Sequence, residues 1–296
     1  MTFDTFIIGQ VCQDINTDFD GKVYHMPGGA ALYAGNAAAA IGHKVAVLAK
    51  GTGANHAEAF GTRPNITVFP LPYARDTEMS NTFFTADRER RDCRCMGMIE
   101  SYKPAELPDV QTKLYHIAGL VQGDIDEDMI EICAERADTA VDVQCLLRRR
   151  ERDGRLVFRD WAEKRRLLPL IRYLKTDAAE AEVLTGEQNR VAAAKILHGW
   201  GARELMITHN SEVLVYDGVT VYTEPLRPRN LSGRTGRGDS CFSAYITERH
   251  TKDIPTALRF AAALVSLKME TPGPFRGTRC DVEDYMELHY KDGNAK

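Results

Sequence analysis

The chain reads as an α/β protein with a mostly parallel central sheet covered by helices on both faces. Three observations predict it: short apolar runs of strand length, helical stretches between them, and a regular alternation of the two along 296 residues. A hydrophobic content of 44% without a low-complexity tract is enough to bury a full-sized core.

Residues 5–9 and 44–49 are apolar runs that read as buried strands. Between them, 29–41 is rich in Ala and Leu and stops at Gly42, a favoured helix terminator, so the chain opens as β-α-β. Two regions break the rhythm, 11–25 and 77–99. In the second, Thr82, Phe84 and Ala86 alternate among charges, which predicts antiparallel strands in a small sheet projecting from the main one. Further strands are expected at 113–118, 139–143, 173–175 and 204–208, with helices at 126–136, 178–184 and 190–200. A hairpin, 213–216 and 220–223, should turn at Asp217-Gly218. A loop and two helices follow, 239–248 and 255–269, the second with Pro at its start.

The net charge of −4 gives no general attraction to nucleic acid or anionic lipid, and neither is expected as a partner. Without an apolar run of spanning length or a leader-like start, the expected location is cytoplasmic. Seven cysteines, with Cys93 and Cys95 the one close pair, match no redox or zinc spacing, and the eight histidines show no ligand spacing, so no protein-ligated zinc is expected.

The stretch from Ser232 to Ser240, S-G-R-T-G-R-G-D-S, runs directly into a helix. A glycine-punctuated turn at a helix N-terminus exposes successive backbone N–H groups where partial positive charge gathers, a natural phosphate cradle. A carboxylate there, Asp239, has the position to take the proton of an attacking hydroxyl; on spacing alone it serves equally well as a helix cap. Neither a Walker A loop nor a G-x-G-x-x-G fingerprint after the first strand is present.

These residues resemble the D-T-x-G-A-G-D motif of the ribokinase-like, or PfkB-type, carbohydrate kinases, and the likeness spans essentially the whole chain. It implies a three-layer α/β fold with a small β-lid, Asp239 as catalytic base and the 236–238 turn (Gly236, Arg237, Gly238) as the anion hole. Arg234 and Arg237 stand where the family has Asp and Ala; Arg237 would add charge at the phosphates, and Arg234 is expected to face solvent. The glycine pair Gly28-Gly29 and Asp14 look like the family's sugar-binding residues, with Tyr33 in place of its usual Asn and Asn36 one turn further on. Asp177 and Glu180 resemble its N-x-x-E segment, which places magnesium through water, while Glu182 is expected as an exposed helical charge. Thr208 and Thr235 match nucleotide contacts, although His209-Asn210-Ser211 replaces the usual Gly-containing successor. Cys12-Gln13-Asp14 and 141–144, ending at Gln144 with Arg148 following, look most like the inositol-kinase-like branch.

The resemblance therefore implies one ribokinase-like domain over 1–296, with a lid from parts of 11–25 and 75–99. Its cofactors would be ATP and Mg²⁺, and its acceptor a hydroxyl of a sugar or polyol. The rivals are a nucleoside kinase of the same fold, stacking its base near Tyr33, Phe83 and Phe84, and a non-catalytic sugar- or nucleotide-binding sensor. Lid-mediated pairing in the family leaves room for a homodimer.

Overall fold

The computed structural model describes residues 2–52, 59–61, 63–86, 88 and 90–291. In chain order the strands of the main sheet are β1 (Thr2–Ile8), β4 (Val45–Gly51), β5 (Ile66–Pro72), β8 (Gln111–Ile117), β9 (Asp138–Asp142), β12 (Tyr173–Asp177), β13 (Glu204–Thr208), β14 (Glu212–Tyr216) and β15 (Val221–Pro225). The missing numbers are β2 (Cys12–Thr17), β3 (Val23–Gly28), β6 (Thr77–Phe83) and β7 (Arg91–Gly97), which make the small sheet, and the hairpin β10 (Arg148–Arg150) and β11 (Leu156–Phe158).

The nine-stranded sheet runs β15-β14-β13-β12-β9-β8-β1-β4-β5. It is parallel from β13 to β5, and β14 and β15 add an antiparallel end. Helices Asp128–Arg136, Ala178–Thr185 and Arg190–Gly199 pack one face, around a core that includes Trp161, Leu174 and Ile207. Helices Ala30–Ala40, Arg237–Glu248, Ile254–Met269 and Arg279–His289 cover the other, with Phe242, Tyr245 and Phe260 buried there. Strand β4, next to the edge strand β5, is buried along its full length, as a strand covered on both faces must be.

The small sheet runs β3-β2-β6-β7, with β2 and β6 parallel and the outer pairs antiparallel. Its first two strands are spliced between β1 and the first helix, and its last two between β5 and β8, so both insertions leave from the same edge of the main sheet.

Most predicted elements stand within a few residues of their expected bounds. Strand β5 went unpredicted because ITVFPLP carries two prolines; it lies at the sheet edge, where Pro is tolerated. Helix Arg279–His289 was also missed, since it buries only Val282 and Tyr285 and shows a weak apolar stripe. The helix expected from Asp239 starts two residues earlier, at Arg237.

Candidate active site

The carboxyl ends of the parallel strands set the stage, where open α/β sheets bind ligands. Register places Asp177 beside Thr208 and Lys175 beside Asp142 at that edge. Between this edge and the small sheet lie two adjoining cavities that share Arg91, Gln144, Arg148, Thr235, Gly236 and Asp239. Asp239 thus stands at the junction, in reach of whatever occupies either one.

The helix bearing Asp239 is capped by the backbone of Gly236 (φ 76°), with no side-chain cap hydrogen bond. The capping alternative for Asp239 is thereby removed, and its carboxylate is left to the cleft. Burial pushes its pKa up, against the pull of Lys175, Arg148 and Lys268. Lys175 is itself buried; burial works against its charge, but Asp142 (2.9 Å) and Glu180 (3.6 Å) hold it protonated and raise its pKa overall. Its Nζ would lie 3.2 Å from a Cβ on Gly238, so the ammonium sits directly beneath the glycine turn.

The larger cavity is cationic. Arg88 and Arg91 reach it from the small-sheet side, Arg148 from the hairpin, Lys175 from β12, and Arg234 and Arg237 from the turn. Arg234 Nη2 (2.9 Å) and both Arg237 terminal nitrogens (3.3 Å) donate to Asn210 Oδ1, which draws the two guanidinium groups together. The solvent-facing expectation for Arg234 is corrected: it lines the cavity because Asn210, at the β13–β14 turn, provides an acceptor there. Thr208 and Thr235 line the same wall.

The second cavity is lined by Asp14, Gly29, Tyr33 and Gln144, with Cys12, Met79, Asn81 and Leu120 completing its walls. Asp14 is buried and accepts a hydrogen bond from the Cys12 thiol at 3.1 Å. Burial lifts its pKa to about 6; the thiol and Arg91 pull it back, while the charge of Asp239 adds to the rise. Gly28, expected as a binding residue, stands behind Asp14 and is not among the lining residues; a Cβ on it would stand 2.3 Å from the Asp14 carboxyl carbon. Tyr33 Oη is buried with no hydrogen-bond partner among the described residues, a donor waiting for one. Gln144 Nε2 donates to Gly119 O at 3.3 Å, which orients its amide.

Two further expected site residues lie elsewhere. Asn36 donates to Leu32 O and accepts from Arg63 Nε, so its polar atoms are spent inside the fold and it does not line the cavity. Glu180 is fully buried, paired with Lys175 and Arg148, and locked to Asp177 in a reciprocal capping box. It therefore organises the wall, and Asp177 is the carboxylate of the two that faces the cleft. Glu182 is exposed, as expected.

Sequence reasoning missed Arg88, Arg91, Lys175 and Lys268. Arg88 and Arg91 sit in the charge-rich 77–99 segment, whose pattern reads as antiparallel strands of a small sheet and singles out no charge. Lysines within the mostly apolar runs at 173–175 and 260–269 were the available signal for the other two.

A ribokinase-like α/β fold with a glycine-rich turn at a helix N-terminus, a carboxylate between two polar cavities and an overlying small sheet defines a class of small-molecule kinases. The chain belongs to the pfkB family of carbohydrate kinases, whose model matches residues 21–278; members are phosphotransferases acting on sugar or polyol hydroxyls. It is 25% identical over 258 residues to a cytidine kinase of Thermococcus kodakarensis, covering 82% of this chain and 87% of that one. Among solved structures it is similar to a pyrophosphate-dependent kinase of the ribokinase family, complexed with a pyrophosphate analog and myo-inositol: 31% identity, TM-score 0.85, covering 94% of this chain and 99% of that chain. An Arabidopsis thaliana ribokinase complexed with ribose and ATP shares the fold at 15% identity and TM-score 0.76, over 97% of this chain and 99% of that one.

Proposed function

We propose that this chain phosphorylates a hydroxyl of a cyclic polyol of the inositol class, with pyrophosphate as donor and Asp239 as general base. The observation that carries the reading is the character of the larger cavity. Six cations face two carboxylates among its lining residues, and Phe83 is the one apolar side chain of any size. Adenine needs apolar faces to stack against. A small, densely charged phosphate donor needs guanidinium groups, which bind its oxygens in pairs. This revises the expectation of ATP, and the likeness to a pyrophosphate-dependent relative supports it.

In the transfer, an acceptor hydroxyl lies beside Asp239, with neighbouring hydroxyls on Asp14, Tyr33 and Gln144. Asp239 takes the hydroxyl proton as the new P–O bond forms, and the bond to the departing phosphate breaks. The leaving group, orthophosphate, carries away charge that the arginine wall and Lys175 stabilise. Backbone amides at the start of the 237–248 helix serve as the anion hole. Mg²⁺ travelling with the donor would neutralise part of its charge, and Asp177 is the residue suited to meet it through water. The small sheet acts as a lid over the acceptor, keeping out water that would compete for the phosphoryl group.

A nucleoside acceptor is the second reading, supported by the cytidine kinase relative. It is disfavoured because the acceptor cavity offers little stacking surface: the Tyr33 ring packs on Gly236, Phe84 is largely exposed, and Phe83 lines the other cavity. The decisive experiment pairs pyrophosphate and ATP with myo-inositol, ribose and cytidine, and follows the phosphorylated product. Pyrophosphate with an inositol should give turnover that Asp239→Asn abolishes. Turnover with ATP and cytidine alone would overturn the assignment, and binding without turnover in any pair would point to the sensor.

A further inference from the structure

We propose that the ammonium of Lys268 is a built-in counter-cation of the anion-binding turn, and that Lys268 is a positioning residue for donor binding. The inference deepens the kinase reading and rests on it only for its catalytic consequence. Lys268 lies near the end of the helix Ile254–Met269 and is 1% exposed. Its Nζ donates to two backbone carbonyls of the donor turn, Gly233 O and Thr235 O, and stands 4.9 Å over the ring of Tyr33. The same junction is fastened by Gly233 N donating to Met269 O at 2.7 Å.

A buried lysine needs a reason, because desolvation of an ammonium is expensive. Here burial pushes the pKa down to about 7, and the one opposing charge is Asp239. Two carbonyl oxygens and an aromatic face compensate the charged form, as they would a small bound cation. The consequence reaches the donor from behind. Carbonyls of 233 and 235 are drawn toward Lys268, so the turn presents its following amides, not its oxygens, to the cleft. Positive charge is also placed under a segment that must receive phosphate, without occupying the cavity. Tyr33 completes the arrangement by touching both the ammonium and Gly236.

The test compares Lys268→Met, which keeps the volume, with Lys268→Ala, which leaves a hole between the two carbonyls. Pyrophosphate affinity is measured by calorimetry, and amide hydrogen exchange is followed in 233–239 and in β1 and β4. Expected are a donor affinity lower by about tenfold or more, faster exchange confined to the turn, and unchanged affinity for myo-inositol. Ammonium chloride should restore Lys268→Ala in both readouts, with sodium chloride at equal ionic strength as the control, and should leave Lys268→Met unaltered. Wild-type donor affinity and exchange in both variants would overturn the proposal. So would equal loss of donor and acceptor binding without ammonium rescue, or global loss of protection in both variants, since either assigns Lys268 to packing alone. If wild-type protein binds pyrophosphate yet phosphorylates nothing, the kinase reading fails while these readouts still decide the role of Lys268.

Discussion

The ring of Tyr33 lies against Gly236, where an added Cβ would stand 2.1 Å from Cδ1. The helix Ala30–Ala40 and the turn before the helix Arg237–Glu248 thus touch through one glycine, and that glycine has φ 76°. Gly236→Ala meets two obstacles, a left-handed backbone and an aromatic ring. We expect kcat to fall by about a hundredfold or more and stability by roughly 2 kcal/mol. Adding Tyr33→Ala should return part of the stability in a urea-denaturation cycle; strictly additive losses would show that the ring contact is not the cause.

Asp239→Asn separates chemistry from binding. Turnover should fall by about 10²- to 10⁴-fold. Burial already disfavours the charge of Asp239, so thermal stability should stay level or rise. Donor affinity should not weaken, because the substitution removes a negative charge from a cationic cavity. Donor affinity that drops in step with kcat would assign Asp239 to binding.

Asp14 provides a pH signature. Its folded pKa of about 6 lies above the ordinary 3.8, so the fold binds this proton more tightly than the unfolded chain does. The carboxylate is therefore a stability cost that is absent below pH 4, grows between pH 4 and 6, and is complete above pH 6. Asp14→Asn should stabilise the protein by roughly 3 kcal/mol at pH 7.5 and by little at pH 4, read from denaturation at both values. In the wild type, acceptor kcat/KM should decline as pH falls through about 6, when Asp14 loses its capacity to accept two hydroxyl donors. A flat profile between pH 5 and 7 would remove Asp14 from the acceptor site.

Arg234 and Arg237 converge on Asn210, and their roles divide by substitution. Arg237→Ala should raise donor KM by roughly ten- to a hundredfold with acceptor KM unmoved, and should flatten the dependence of donor KM on salt. Asn210→Ala keeps both charges and loses only their clasp, so its effect should be the smaller. Equal effects of the two substitutions on donor and acceptor KM would mean that the cluster is structural.

Gly28→Ala should fail differently, because the obstructing atoms belong to Asp14. A loss of about 2 kcal/mol or more is expected in the wild-type background and much less when Asp14 is also Ala, again by denaturation. Independence of the two would contradict the packing described here.

The elements legible in the sequence share a property: each is specified by neighbours along the chain. Alternating apolar runs predicted the parallel sheet, and S-G-R-T-G-R-G-D-S announced a glycine turn opening a helix, because strand burial and turn chemistry are local. Asp239 stood out through that same turn, whereas Asp14 and the glycine pair were reached only through the family resemblance. Asn36 could not be judged, since its partner Arg63 lies 27 residues away. Strand β5 failed for its prolines, which local rules penalise and an edge position forgives.

What the sequence by itself determined is the fold, the family resemblance and a carboxylate at a glycine-rich turn that opens a helix. Only the tertiary structure decided the character of the donor site. Arg88 and Arg91, Arg148, Lys175 and Arg237 come from four separate stretches of chain, and the order of strands in the two sheets brings them into one cavity. A charged side chain carries no local mark of whether it meets water, a carboxylate or a phosphate. Electrostatics acts through space, and the spatial neighbours of a charge are fixed by topology rather than by spacing in sequence.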